Sequence, residues 1–138
     1  MTDASLLPPV PVPDPDSASY WESLHQGTLS ICRCTGCRRW MHPPLESCRY
    51  CGAPTTLERV SGRGFVFSFI VVRRATVPGF PPPYVIALVE LAEQAALRMP
   101  SIVTGDPDSV SIGMSVQAKI AEIGKSGFFA PIFEPTAP

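Results

Sequence analysis

No apolar run in this chain approaches the roughly 18 residues that a membrane-spanning helix needs. Met1 to Val10 lacks a charged stretch followed by an apolar one, so no secretory leader is read there. Lysine is scarce. Lys119 and Lys125 are its only occurrences, nine of the eleven basic residues are Arg, and the net charge is −1. A nucleic-acid surface built on general basicity is therefore not expected. Histidine occurs twice, with no Ser/His/Asp pattern and no glycine-rich phosphate loop. Carboxylate pairs such as Glu90/Glu93 and Asp106/Asp108 fall at a strand end and a turn, where solvated charge is the default. These absences predict a cytoplasmic chain that does not span a membrane and is not an enzyme on its own.

What the chain does have is a set of cysteines in pairs: Cys34-Thr-Gly-Cys37 and Cys48-Arg-Tyr-Cys51, ten residues apart. Each CxxC folds into a tight knuckle that aims two thiolates at one point. Two knuckles closing together offer four soft ligands in a tetrahedron, which suits Zn²⁺ and leaves no open position. Such a site builds structure rather than catalysing. A disulfide framework would need a secreted chain, and a thioredoxin-like motif would need a βαβ context. Neither is legible here.

The 138 residues suffice for one ordinary domain or two small modules, and 45% hydrophobic content is enough for a core. Pro8, Pro9, Pro11, Pro13 and Pro15 mark residues 1–15 as a disordered, extended tail. Asp16 or Ser17 opens a short helix. A capping-box pattern, Ser19-Tyr20-Trp21-Glu22, would move its start later, and Gly27 ends it. Tyr20, Trp21 and Leu24 share one face that must dock on something, in this chain or another. Thr28–Arg33 reads as a strand into the first knuckle.

After Pro54 the pattern changes to short β-rich segments separated by turns. Strands are predicted over 65–72, 84–91, 96–103 (broken by Pro100), 114–123 and 128–133. Five strands without a long helix point to a small closed barrel, with the OB-fold as the leading candidate. The domain limits predicted are 1–15 tail, 16–54 helix and zinc ribbon, and 55–134 OB-fold.

From Arg33 to Arg74 eight arginines face only Glu46 and Glu58, so this segment can meet an anionic ligand or an acidic partner. Arg73, Arg74 and Phe80, at and after the end of the first barrel strand, are candidate contacts for coenzyme A phosphates and its adenine ring. Phe65, Phe67 and Phe69 lie on one face of that strand. They can stack on bases in a single-stranded nucleic-acid module, but filling the barrel interior is the stronger reading. Cys32, the odd cysteine, has no base placed beside it and reads as a small buried hydrophobe rather than a nucleophile or an alternative metal ligand. His42 reads as structural, and His25 has no visible partner.

Taken in order, the aromatic helix, the CxxC…Pro-Pro…CxxCG ribbon (Cys34 to Gly52), Gly62-Arg-Gly-Phe-Val66, Pro83-Tyr-Val-Ile-Ala-Leu-Val-Glu-Leu91 and Ile112-Gly-Met-Ser-Val116 resemble a known family. It is the OB-fold, acyl-CoA-associated zinc-ribbon proteins, long labelled a domain of unknown function. The resemblance covers about Ser17 to Phe133. It implies a mainly β fold with a short N-terminal helix, a rubredoxin-like zinc ribbon and a C-terminal five-stranded OB barrel. It places Cys34, Cys37, Cys48 and Cys51 at the family's structural zinc positions. It also implies an accessory subunit in a hetero-oligomer with a thiolase-like enzyme: an acyltransferase, a condensing enzyme or an aldolase of steroid side-chain breakdown. A hot-dog-fold enoyl-CoA hydratase is a further implied partner, with coenzyme A or an acyl-CoA held near the partner's active site.

Overall fold

The computed structural model describes residues 8–136. The first seven residues of the proline-rich stretch lie outside that range. Pro8 packs against Gly79 and Gly124, so the later part of the expected tail runs along the protein surface.

Helix α1 (Ala18–His25) buries Tyr20 and Leu24. It starts earlier than the Ser19–Glu22 capping box would place it. The turn before it is closed by reciprocal bonds: the Asp14 N–H donates to Ser17 Oγ (3.1 Å) and the Ser17 N–H to Asp14 Oδ1 (2.7 Å). A three-stranded antiparallel sheet follows, ordered β2-β1-β3. Its strands are β1 (Ser30–Cys34), β2 (Trp40–Met41) and β3 (Thr55–Arg59). The limit expected between residues 54 and 55 precedes β3. Since β3 pairs with β1 from Thr55↔Cys34 to Arg59↔Ser30, the ribbon sheet runs on to Arg59.

The second module is a closed five-stranded barrel of β4 (Arg63–Val72), β5 (Tyr84–Leu91), β6 (Arg98–Val103), β7 (Ser115–Glu122) and β8 (Phe129–Pro135), ordered β4-β5-β6-β8-β7. The alternating sequence of β5 sends Val85, Ala87, Val89 and Leu91 inward, the period-two pattern of a strand with one buried face. Phe133, on β8, is fully buried. Pro100 does not break β6. It sits opposite Leu88 of β5, while on its other side β6 meets β8 only at Val103↔Phe133. A missing N–H costs little where the ladder is already open.

The three phenylalanines of β4 do not share the interior as expected. Pairing with β5 passes from Val66↔Val89 to Ser68↔Leu88, leaving Phe67 as a bulged extra residue. Val66 points in, and after the bulge Phe69 and Val71 pack on the core. Phe65 and Phe67 point to solvent, 37% and 40% exposed. A one-residue insertion shifts the side-chain period, which simple alternation cannot anticipate.

The two modules share one core. Tyr20, Leu24, Ile31 and Trp40 from the helix and ribbon belong to the same buried cluster as Val66, Val89 and Phe133 from the barrel. Gln94 locks the junction: its Oε1 accepts the Trp40 N–H (2.9 Å) and its Nε2 donates to the Trp40 carbonyl (3.1 Å).

Candidate metal centre and the grooves beside it

The first knuckle leaves the end of β1. Its turn closes when the Cys34 N–H donates to the Arg39 carbonyl (2.9 Å), with Arg38 at a positive φ of 64°. The second closes when the Gly52 N–H donates to the Cys48 carbonyl (3.0 Å). Gly36 has to be small, because a Cβ there would stand 2.9 Å from the Ala53 Cβ of the opposing knuckle.

This geometry gathers the Sγ atoms of Cys34, Cys37, Cys48 and Cys51 within 4.8 Å of one another. Cys34 and Cys51 Sγ lie 3.4 Å apart and Cys37 and Cys48 Sγ 3.7 Å apart. Zinc at about 2.3 Å from each sulfur has tetrahedron edges near 3.8 Å, so the cage fits the ion, and it is far too open for disulfides. Backbone N–H groups of Gly36 (3.2 Å) and Cys37 (3.3 Å) point at Cys34 Sγ, and that of Tyr50 (3.3 Å) at Cys48 Sγ. Desolvation raises the Cys34 thiol, but the N–H donors of Cys37 and Gly36, with the Cys51 thiol, outweigh it and bring its pKa to about 6. The Arg39 N–H lowers the Cys37 thiol, yet desolvation and the surrounding sulfurs push it up to about 11. Four sulfurs this close cannot all ionise unaided, and a divalent cation removes that conflict.

Cys32 stands outside the cage. It is buried, and its Sγ lies 3.4 Å from the Leu45 carbonyl. His42 is also outside. Its ring packs on Tyr20 (centroids 5.3 Å apart), its Nδ1 is buried without a hydrogen-bond partner among the described residues, and burial lowers its pKa. His25 meets the edge of Phe129.

Much of the arginine excess is spent internally. Arg33 (3.0 Å) and Arg38 (2.9 Å) both donate to Glu58, and Arg33 also lies over Trp40. Arg39 and Arg49 flank the Tyr50 ring at 4.3 and 5.8 Å. Of the candidate coenzyme A contacts, Arg73 forms an exposed pair with Asp108 (3.1 Å). Arg74 is exposed and has no ion pair among the described residues. Phe80 packs on Tyr84 in an apolar groove of about 220 Å³ that neither arginine lines.

A larger groove was not legible as a site in the sequence. It follows the open seam between β6 and β8, holds about 460 Å³, and is walled by Tyr20, Trp21, His42, Met99 and Pro131. Pro100 and Pro131 have no N–H for a ladder, and Ser101 Oγ bridges the gap to the Pro131 carbonyl at 2.7 Å. The signals available were the adjacent Tyr20-Trp21 and a proline in each of two facing strands.

Comparison with known proteins gives a consistent picture. Residues 21–58 match the family described as "ChsH2, rubredoxin-like zinc ribbon domain", and residues 57–121 match "ChsH2, C-terminal OB-fold domain". A "Probable enoyl-CoA hydratase alpha subunit" of Thermomonospora curvata is 37% identical over 134 residues, 96% of this chain and 41% of the relative. The "3-oxo-4,17-pregnadiene-20-carboxyl-CoA hydratase alpha subunit" of Mycobacterium tuberculosis is 42% identical over 106 residues, 75% of this chain and 33% of the relative. The chain thus spans well under half the length of these hydratase relatives. A "DUF35 domain-containing scaffold protein" of Methanocaldococcus jannaschii is 37% identical over 69% of each chain. Among solved structures, a chain of "Ltp2-ChsH2(DUF35) aldolase" superposes with a TM-score of 0.85 at 35% identity, covering 93% of this chain and 100% of that one.

Proposed function

Because this chain belongs to the DUF35 family of ChsH2-type zinc-ribbon and OB-fold proteins, we propose that it is a non-catalytic subunit supporting a thiolase-like aldolase or an enoyl-CoA hydratase that acts on an acyl-CoA. The observation that carries this reading is the likeness, across both modules, to the complete DUF35 chain of an Ltp2-ChsH2 aldolase. The ribbon contributes structural zinc. The closed cage offers no position for a substrate, so the ion's part is to fold the ribbon against the helix and barrel.

The substrate contact is proposed for the surfaces that the clamp positions. The groove along the β6–β8 seam is apolar along much of its wall and has the size of a small-ligand site. It suits the acyl portion of a thioester, while Arg73 and Arg74 suit coenzyme A phosphates and Phe80 its adenine. The single-stranded nucleic-acid alternative gains two exposed aromatics, Phe65 and Phe67. Against it, the arginine over Phe67, Arg98, is already paired with Glu90, and the chain's net charge is −1.

The test is a cleavage assay on an acyl-CoA with the source organism's Ltp2-type aldolase, alone and with this chain. Turnover is expected to need or be raised by this chain, with none from this chain by itself. Turnover by this chain alone that disappears in Cys32→Ser would overturn the reading.

A further inference from the structure

We infer that the outward face of the β4–β5–β6 sheet is the surface on which the partner enzyme seats, an inference that rests on the subunit role proposed above. An antiparallel sheet with one face on its core ordinarily presents polar side chains on the other. Here β4 turns Phe65, Phe67 and Ile70 outward, at 37%, 40% and 61% exposure. Ile86 and Ile102 stand in register beside Ile70, and Leu88 and Pro100 beside Ser68. Alternation about the inward Val66 sends Phe65 and Phe67 outward, and the bulge then sends Ile70, rather than Phe69, to solvent.

Where the three strands pair, Glu90 and Arg98 are the only charged residues. They bond to each other at 2.9 Å, and the Arg98 guanidinium lies 3.6 Å from the Phe67 ring centroid. The paired area therefore carries no net charge, with the exposed Arg63 at its edge where β4 turns to pair with β7, and its complement is a largely apolar protein surface. Aromatic side chains with a stacked arginine are the composition of an interface centre. The apolar surface continues onto the loop after β4, where the exposed Val77 stands beside Tyr84 and Ile86.

Area separates the two protein occupants. Each outward strand residue claims about 30 Å² of sheet, so ten cover on the order of 300 Å². A barrel of five strands is strongly convex, and two copies laid face to face would touch along little more than that strip. A stable interface needs about 800 Å² per partner. A larger enzyme with a concave surface reaches it by wrapping onto the flanking loops. The occupant is thus the thiolase-like partner rather than a second copy.

The experiment measures binding of the source organism's Ltp2-type aldolase to wild-type chain, Phe67→Asp, Ile70→Lys and Ile70→Thr, with zinc content and circular dichroism as fold controls. Both charged variants are expected to weaken binding at least about tenfold, and Ile70→Thr less. Should Phe67→Asp fail to fold, Ile70→Lys decides, because its side chain is the more exposed. Wild-type binding with unchanged affinity in the charged variants overturns the surface and leaves the subunit role standing. Absence of wild-type binding overturns the subunit role itself. Self-association of the isolated chain that Ile70→Lys abolishes assigns the face to a second copy and also overturns the inference.

Discussion

His42 sits between the two cysteine pairs but outside the cage, in the structural position expected of it: its ring contacts Tyr20, and its Nδ1 is buried without a hydrogen-bond partner among the described residues. Burial lowers its pKa below the ordinary 6.5. The unfolded chain therefore binds a proton near pH 6.5, while the folded protein resists until lower pH. Stability from this group is complete above about pH 6.5 and declines as pH falls from there toward the lowered folded value. Urea midpoints across pH 7.5 to 5 should fall more steeply for wild type than for His42→Phe. Parallel slopes would show that His42 is not the cause, and zinc loss, common to both proteins, cancels in the comparison. Arg73→Ala with Arg74→Ala tests the coenzyme A contacts proposed above. The double variant should lose affinity for a coenzyme A thioester in the complex by about tenfold or more, as removal of charge-assisted phosphate contacts does. Equal affinity by calorimetry would remove both residues from the site. The four zinc ligands were legible because spacing alone defines a CxxC knuckle. Arg98 was not, since its place over Phe67 depends on how β4, β5 and β6 pair across the sheet.

At the scale of elements, the five barrel strands were readable because turn residues punctuate them and most carry apolar alternation. Strand β3 escaped: Thr-Thr-Leu-Glu-Arg has too little apolar pattern, and it is a strand because β1 lies beside it. Tertiary pairing, not propensity, decides such a segment. The entry to β4 depends on Gly64. A Cβ there would stand 2.5 Å from the Glu90 carbonyl oxygen and 3.0 Å from Val89 Cγ1, on β5 beside it. Neither neighbour is the free end of a flexible side chain. Gly64→Ala should destabilise the fold by about 1–3 kcal/mol, read as a lower denaturation midpoint. A midpoint equal to wild type would mean that the strands separate without cost.

Across the whole molecule, the zinc ribbon and the barrel are joined by a single buried cluster and by the Gln94 clasp on Trp40. Structural zinc in small modules contributes on the order of 10 kcal/mol to folding, so its loss should not stay local. Removing the ion with a strong chelator, or replacing Cys48 with Ser, is expected to lower the unfolding temperature of the barrel as well as the ribbon. A barrel transition unmoved by chelation would show two independent units. The sequence could place both modules but not their union, because the residues that join them are separated by 54 positions in the case of Trp40 and Gln94. The proposed subunit role belongs to an assembly larger than this chain. Its most direct test is native mass spectrometry of the zinc-loaded chain co-expressed with the Ltp2-type aldolase of the same organism. The account predicts a stable hetero-oligomer that contains both proteins and retains zinc. Recovery of the two proteins as separate species, each folded, would contradict it.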